Sequence, residues 1–241
     1  MFLNKITKEQ YDKFYKKYTD EINKIEQESY KSQKTSSNFE KAVAAAMTSP
    51  LGVGSANFHV GGEAGPVETV YLGVFQRTAL ERVGGYDPAF TRAQDWEMNH
   101  RIRATGGTVW FNPELFVTYR PRPSVGKLAK QYFEYGSWRR EVMRQHPETR
   151  RTKSALRYFA PPVAVVGVIG GLLMGIIGSV LQIFPLAFWG FLAPLGYVCL
   201  TLVSSLSLIK RASSGAPWLP VALSTMQMSW GIGFLTSRKK N

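Results

Sequence analysis

The sequence has little of what most enzyme chemistry uses. Its 241 residues hold one cysteine, Cys199, with three histidines and four aspartates. A single cysteine excludes a disulfide framework. His59, His100 and His146 lie far apart in the chain and give no zinc spacing such as H-E-x-x-H. There is no phosphate loop and no G-x-S-x-G nucleophile elbow, and Gly52-x-Gly54 reads as a loop. Asp12, Asp20, Asp87 and Asp95 form no Asp-x-Asp pair, the arrangement that usually holds a divalent metal on a nucleotide diphosphate. Spacing alone therefore predicts no metal site.

Charge is missing over two long runs. Between Arg157 and Lys210 lie 52 residues without Asp, Glu, Lys, Arg or His, and Ala212–Ser237 adds 26 more. A hydrocarbon layer of ~30 Å takes about 20 helical residues, so a fully soluble protein is excluded and the first run suffices for two crossings. Phe184-Pro185 divides it into predicted spans at about 159–183 and 186–209. Gly167, Gly171 and Gly175 repeat at the spacing of close helix contact. The third run, about 217–235, contains Pro220, Ser224, Thr225, Gln227 and Ser229. A third span is the favoured reading, although Arg238, Lys239 and Lys240 would then face outward, against the positive-inside tendency. A re-entrant or interfacial segment is the alternative. The start MFLNKITKEQ shows no signal peptide, so a multi-pass inner (plasma) membrane protein with a cytoplasmic polar part is expected.

Composition divides the rest. Residues 1–40 lack Ala, Gly, Pro, Val, Trp and Arg, and carry eight Lys against seven Asp+Glu. Thr7 with Gln10, and the stripe Tyr11, Tyr15, Tyr18, Ile22, Ile25, predict an amphipathic helix, followed by a KSQKTSS tether. The segment 41–123 predicts strands at Val67–Phe75, Val109–Phe111 and Leu115–Tyr119, and a helix at Gln94–Thr105 stopped by Gly106-Gly107. This mixture suggests part of an α/β domain. From Arg101 to Arg157 there are 13 basic and four acidic residues. A helix from Ser124, apolar at Val125, Leu128, Tyr132, Tyr135, Val142 and Met143, leads directly into the membrane run. Lipid is preferred to nucleic acid as its partner, with Lys127, Lys130, Trp138, Arg139 and Arg140 at the membrane surface.

One constellation carries possible chemistry: Gly84-Gly85-Tyr86-Asp87 followed by Gln94-Asp95-Trp96-Glu97-Met98-Asn99-His100-Arg101. Asp95 stands at a predicted helix start, where it serves either as an N-cap or as a general base for an acceptor hydroxyl.

The elements AVAAAMTSPLGVGSANF, VYLGVFQRTALERVGGYDPAF, RAQDWEMNHRIRATGG, VWFNPELFVTYRPR, QYFEYGSWR and MQMSWGIGFLTSRKK occur in this order. The stretch from Phe39 to about His146 resembles the C-terminal half of family 2 glycosyltransferases, and within these it is most similar to bacterial membrane-associated enzymes of the succinoglycan-biosynthesis type. The resemblance implies a GT-A fold, an inverting mechanism and a nucleotide-sugar donor. The family's Glu-Asp motif falls on Gln94-Asp95, which makes Asp95 the base, with Gln94, Trp96 and Arg77 as acceptor-site candidates. A lipid-linked saccharide is the expected acceptor. The family's donor-binding half has no counterpart here, so the resemblance implies a domain truncated on that side. No cofactor is expected in this chain, although Mg or Mn is expected for a complete domain. The implied layout is a foreign segment 1–38, the half-domain 39–123, a basic interfacial helix 124–157, and membrane segments over 158–237. The alternative is a non-catalytic membrane protein whose N-terminal helix binds a partner.

Overall fold

The structure, a computed structural model, describes residues 37–53, 63–70, 73–114, 120–151 and 155–239. The expected N-terminal helix and tether, the strand Leu115–Tyr119 and the middle of Val67–Phe75 lie outside the described residues.

Helix α1, Asn38–Ala46, begins with a complete capping box: Glu40 N donates to Ser37 Oγ at 3.2 Å and Ser37 N to Glu40 Oε2 at 2.8 Å. Phe39, Ala42, Val43 and Ala46 repeat at helical spacing and are buried. A short turn α2, Pro50–Val53, follows. Strand β1, Gly65–Pro66, pairs antiparallel with β2, Trp110–Phe111. Between them lie α3, Arg77–Val83, and α4, Gln94–Ala104. Helix α5 is Val125–Gln145, and a 3₁₀ turn, Pro147–Arg151, leads on to α6, Ala155–Val180. Helix α7, Phe184–Ala212, a second 3₁₀ turn, Ser213–Trp218, and α8, Leu219–Thr236, complete the described order.

The described residues are mostly helical, not an open mixed sheet. Beyond the β1–β2 pair, Val67 N donates to Val109 O at 2.9 Å, and the ladder stops there. Residues 67–70 and 73–75 carry no strand, contrary to the expectation for Val67–Phe75. The physical reason is local. Asn99 Nδ2 donates to Thr69 Oγ1 at 2.9 Å and to Val70 O at 3.2 Å, so a side chain serves the one carbonyl, Val70 O, that a neighbouring strand could have paired.

The main core does not respect the sequence blocks. Phe39, Val43 and Ala46 of α1 pack with Leu128 and Tyr132 of α5, Leu208 and Ala212 of α7, and Leu219, Leu223 and Met226 of α8. Fully burying each large aliphatic side chain contributes ~1.5–3 kcal/mol, so the polar part and the ends of the apolar helices form one unit. Helices α5 and α8 approach at backbone distance. A Cβ on Gly136 would stand 1.9 Å from Trp230 O, and one on Gly233 would stand 2.0 Å from Phe133 O. Arg140 closes α8 by donating to Phe234 O at 2.8 Å and Leu235 O at 2.6 Å, and Arg144 donates to Ser237 O at 2.6 Å.

Helices α6 and α7 form an antiparallel hairpin. A Cβ on Gly171 would meet Gly190 O at 2.6 Å, and one on Gly190 would meet Gly175 N at 2.2 Å, so the expected close contact is present at Gly171 and Gly175. Away from that seam the hairpin is exposed and apolar, from Val163 at 67% to Phe184 at 77%. Arg157–Val180 and Phe184–Thr236 are long and apolar enough to cross a membrane, by length and composition. The second stretch contains both α7 and α8. The third expected span thus forms a helix, but it lies chiefly against α5, and it buries Leu219, Leu223, Met226 and Phe234 within the protein.

Candidate functional site

Asp95 is the second residue of α4, and it is not the cap. That position belongs to Ala93, in a left-handed conformation with φ 60° and no side-chain cap bond. The carboxylate, half-buried, accepts a 3.0 Å hydrogen bond from Tyr86 Oη through Oδ1. Partial desolvation and then the Asp95 carboxylate push the Tyr86 phenol up to about 12.

The loop carrying Tyr86 is shaped by glycine and held by arginine. Gly84 and Gly85 both take positive φ, 74° and 71°, which side chains rarely adopt. Arg101 Nη2 donates to Gly85 O at 2.7 Å, and Arg101 Nη1 donates to Val83 O. The same guanidinium forks onto Glu97, with Nε to Oε1 at 2.6 Å and Nη2 to Oε2 at 2.7 Å. Hydrogen bonding to Glu97 raises the Arg101 pKa. Glu97, buried on α4, is thus a partnered charge that clamps the loop.

On the buried side of α4, Trp96 joins Phe90, Trp138 and Val142 in a second core. Its ring stacks on His100 with centroids 5.3 Å apart and planes at 6°. The Arg139 guanidinium lies 4.4 Å from the Trp96 ring centroid and 4.1 Å from that of Tyr158. Burial lowers the Arg139 pKa. His100 and His146 meet edge to face at 4.7 Å, and His100 Nε2 lies 2.8 Å from Glu148 Oε1. Burial lowers the His100 pKa, partly offset by the bond to Glu148. His100, His146 and Glu148 present ligand atoms all within 4.8 Å of one another, and among the described residues these three are the side chains that could together hold a metal. Spacing missed this group because its members come from α4, from the end of α5 and from the following 3₁₀ turn.

Two cavities flank α5. One of about 80 Å³ is lined by Trp96, His100, Arg103, Arg139, Glu148 and others. The larger, about 800 Å³, has Arg140, Arg144 and Arg150 beside an apolar wall of Phe159, Val163, Val166, Phe234 and Leu235. Met143 lines both.

The remaining predicted residues are scattered. Gln94 is exposed beside Asp95. Arg77, 91% exposed, pairs with Glu81 at 2.8 Å on α3. Lys127 and Lys130 are exposed on α5. Trp138, expected at a membrane surface, is instead buried against Phe90 and Val142, because its face of α5 meets protein. Arg139 and Arg140 are likewise committed inward, Arg139 to two aromatic rings and Arg140 to the end of α8. Glu148 is a site residue that the sequence does not single out, and Tyr86, within the GGYD constellation, has no role assigned to it by sequence. The signals available were GGYD just before Gln94-Asp95, and the short His146-Pro147-Glu148 sequence.

No family model matches the chain, and no solved structure is significantly similar to it. It is 30% identical over 198 residues to the succinoglycan biosynthesis protein ExoA of Rhizobium meliloti (strain 1021), an alignment covering 82% of this chain. The chain spans 56% of that relative's length.

Proposed function

We propose that the chain forms the acceptor side of a membrane-anchored, inverting glycosyltransferase of family 2, GT-A class, in surface polysaccharide assembly. The similarity to a succinoglycan biosynthesis protein supports the polysaccharide context. The observation that carries the chemistry is the Asp95 carboxylate, half-exposed in the first turn of α4, uncommitted to any cap and oriented by Tyr86. Asp95 takes the proton of an acceptor hydroxyl. The oxygen attacks the anomeric carbon of the donor sugar, and the nucleotide diphosphate leaves from the opposite face, with inversion. Exposed Gln94 borders the same turn as an acceptor-side residue. The nucleotide-sugar donor, with Mg or Mn, belongs to the donor half of such a domain, whose Asp-x-Asp pair this sequence does not contain.

The apolar cavity with Arg140, Arg144 and Arg150 suits a lipid-linked acceptor, hydrocarbon against the wall and phosphate toward the guanidinium groups. The α6–α7 hairpin is the anchor. Arg157 and Lys210-Arg211 at its base favour, by the positive-inside tendency, a polar part on the cytoplasmic face of the inner membrane, and Lys127 and Lys130 add attraction to anionic lipid. The test is deletion of the encoding gene, followed by transfer of labelled sugar from nucleotide sugars into lipid-extractable product of isolated membranes. One labelled product should disappear and return with the native gene. An unchanged product profile would overturn the proposal.

A further inference from the structure

The histidine–glutamate group beside α4 is built like a metal centre. His146 Nδ1 lies 3.7 Å from Glu148 Oε1, and His100 Nε2 lies 2.8 Å from the same oxygen. In a tetrahedral zinc site with bonds of ~2.0–2.1 Å, ligand atoms are separated by about 3.3 Å, which these two distances bracket. We infer that His100, His146 and Glu148 bind one divalent transition ion of the zinc class through two imidazole nitrogens and one carboxylate oxygen. A fourth position then opens toward the cavity of about 80 Å³ that His100 and Glu148 line. This site does not rest on the role proposed for Asp95, although the Glu97–Arg101 pair supports both groups.

Three further features support the assignment. The other nitrogen of His146, Nε2, lies 3.3 Å from Glu97 Oε1, and Arg101 fixes that carboxylate with two bonds. A carboxylate behind a ligating imidazole sets its tautomer and ring orientation, the usual support of a bound metal. Trp96 stacks on His100 and fixes the plane of the second imidazole. Two residues lining the cavity, Trp96 and Arg103, have buried donors, Nε1 and Nε, with no acceptor among the described residues. A water or anion bound in that cavity would give them an acceptor.

The ligands come from α4, from the residue after α5 and from the 3₁₀ turn, so the ion would tie the approach to the membrane hairpin onto α4. The experiment uses the whole chain in detergent, stripped with a chelator and titrated with Co²⁺, with Zn²⁺ then added to displace it. One equivalent should give the visible absorption of four-coordinate Co²⁺ with nitrogen and oxygen ligands, and Zn²⁺ should raise the Tm. His146→Ala and Glu148→Gln should each abolish both responses. Glu148 is 62% exposed, so its variant should retain the metal-free Tm and separate lost binding from lost folding. Glu97→Gln should weaken binding by about 10–100-fold. Absence of stoichiometric Co²⁺ binding, or binding that survives both ligand substitutions, would overturn the inference.

Discussion

Tyr86 Oη and Asp95 Oδ1 are joined by a 3.0 Å hydrogen bond that ties the glycine loop to the first turn of α4. Desolvation first and this bond second hold the phenol in its neutral form, with a pKa raised from 10.0 to about 12. The bond's contribution to stability is complete below pH 10 and disappears as pH rises through about 12. Tyr86→Phe should therefore lessen the loss of stability between those values in alkaline unfolding curves. Asp95→Asn should bring the phenol down only part of the way, because desolvation is the larger cause. Carbon NMR of labelled tyrosine measures that directly.

The cap of α1 gives an acid-side counterpart. Hydrogen bonding to the Ser37 backbone, aided by Arg120, holds Glu40 below its ordinary value of 4.5. The stability it supplies is present above that value and is lost as pH falls through the depressed one. Glu40→Gln should flatten the acid limb of the stability profile. Ser37→Ala should cost ~1 kcal/mol at neutral pH in denaturant unfolding.

Backbone contact between α5 and α8 makes Gly136 and Gly233 intolerant of a methyl group. Gly136→Ala should destabilise by at least ~1–3 kcal/mol, since the obstruction is the Trp230 backbone and cannot rotate away. Gly126→Ala, on the same helix with nothing within 4 Å, should be neutral or stabilising by ~0.4–1 kcal/mol. Thermal unfolding of the two variants provides the comparison.

The single cysteine reports on the hairpin. Cys199 is exposed on α7 within the apolar run. In intact membranes it should resist water-soluble maleimides and react once the protein is denatured in detergent. Rapid labelling in intact membranes would place that face of α7 in water.

Features encoded locally were legible in the sequence. The bounds of α4, its stop at Gly106 and the glycine seam of the hairpin all follow from neighbouring residues. Features set by distant partners were not. An amphipathic face such as that of α5 reads the same whether lipid or protein covers it, and here α8 and Phe90 cover Leu128 and Trp138. The strand expected at Val67–Phe75 has suitable residues, but among the described ones the β1–β2 pairing ends at Val67, and Asn99 bonds the Val70 carbonyl. At the candidate site, Asp95 stood out by its motif, whereas His100 and His146 meet only because α4 and the end of α5 converge.

Sugar transfer in membranes where the donor half is also present, compared between the native chain and its Asp95→Asn variant, tests the role of Asp95 most directly. Loss of a general base should slow transfer by ~10²–10⁴-fold, with thermal stability and the apparent affinity for nucleotide sugar little changed. Transfer at the native rate would contradict the account, leaving Asp95 a surface carboxylate whose only task is to hold Tyr86.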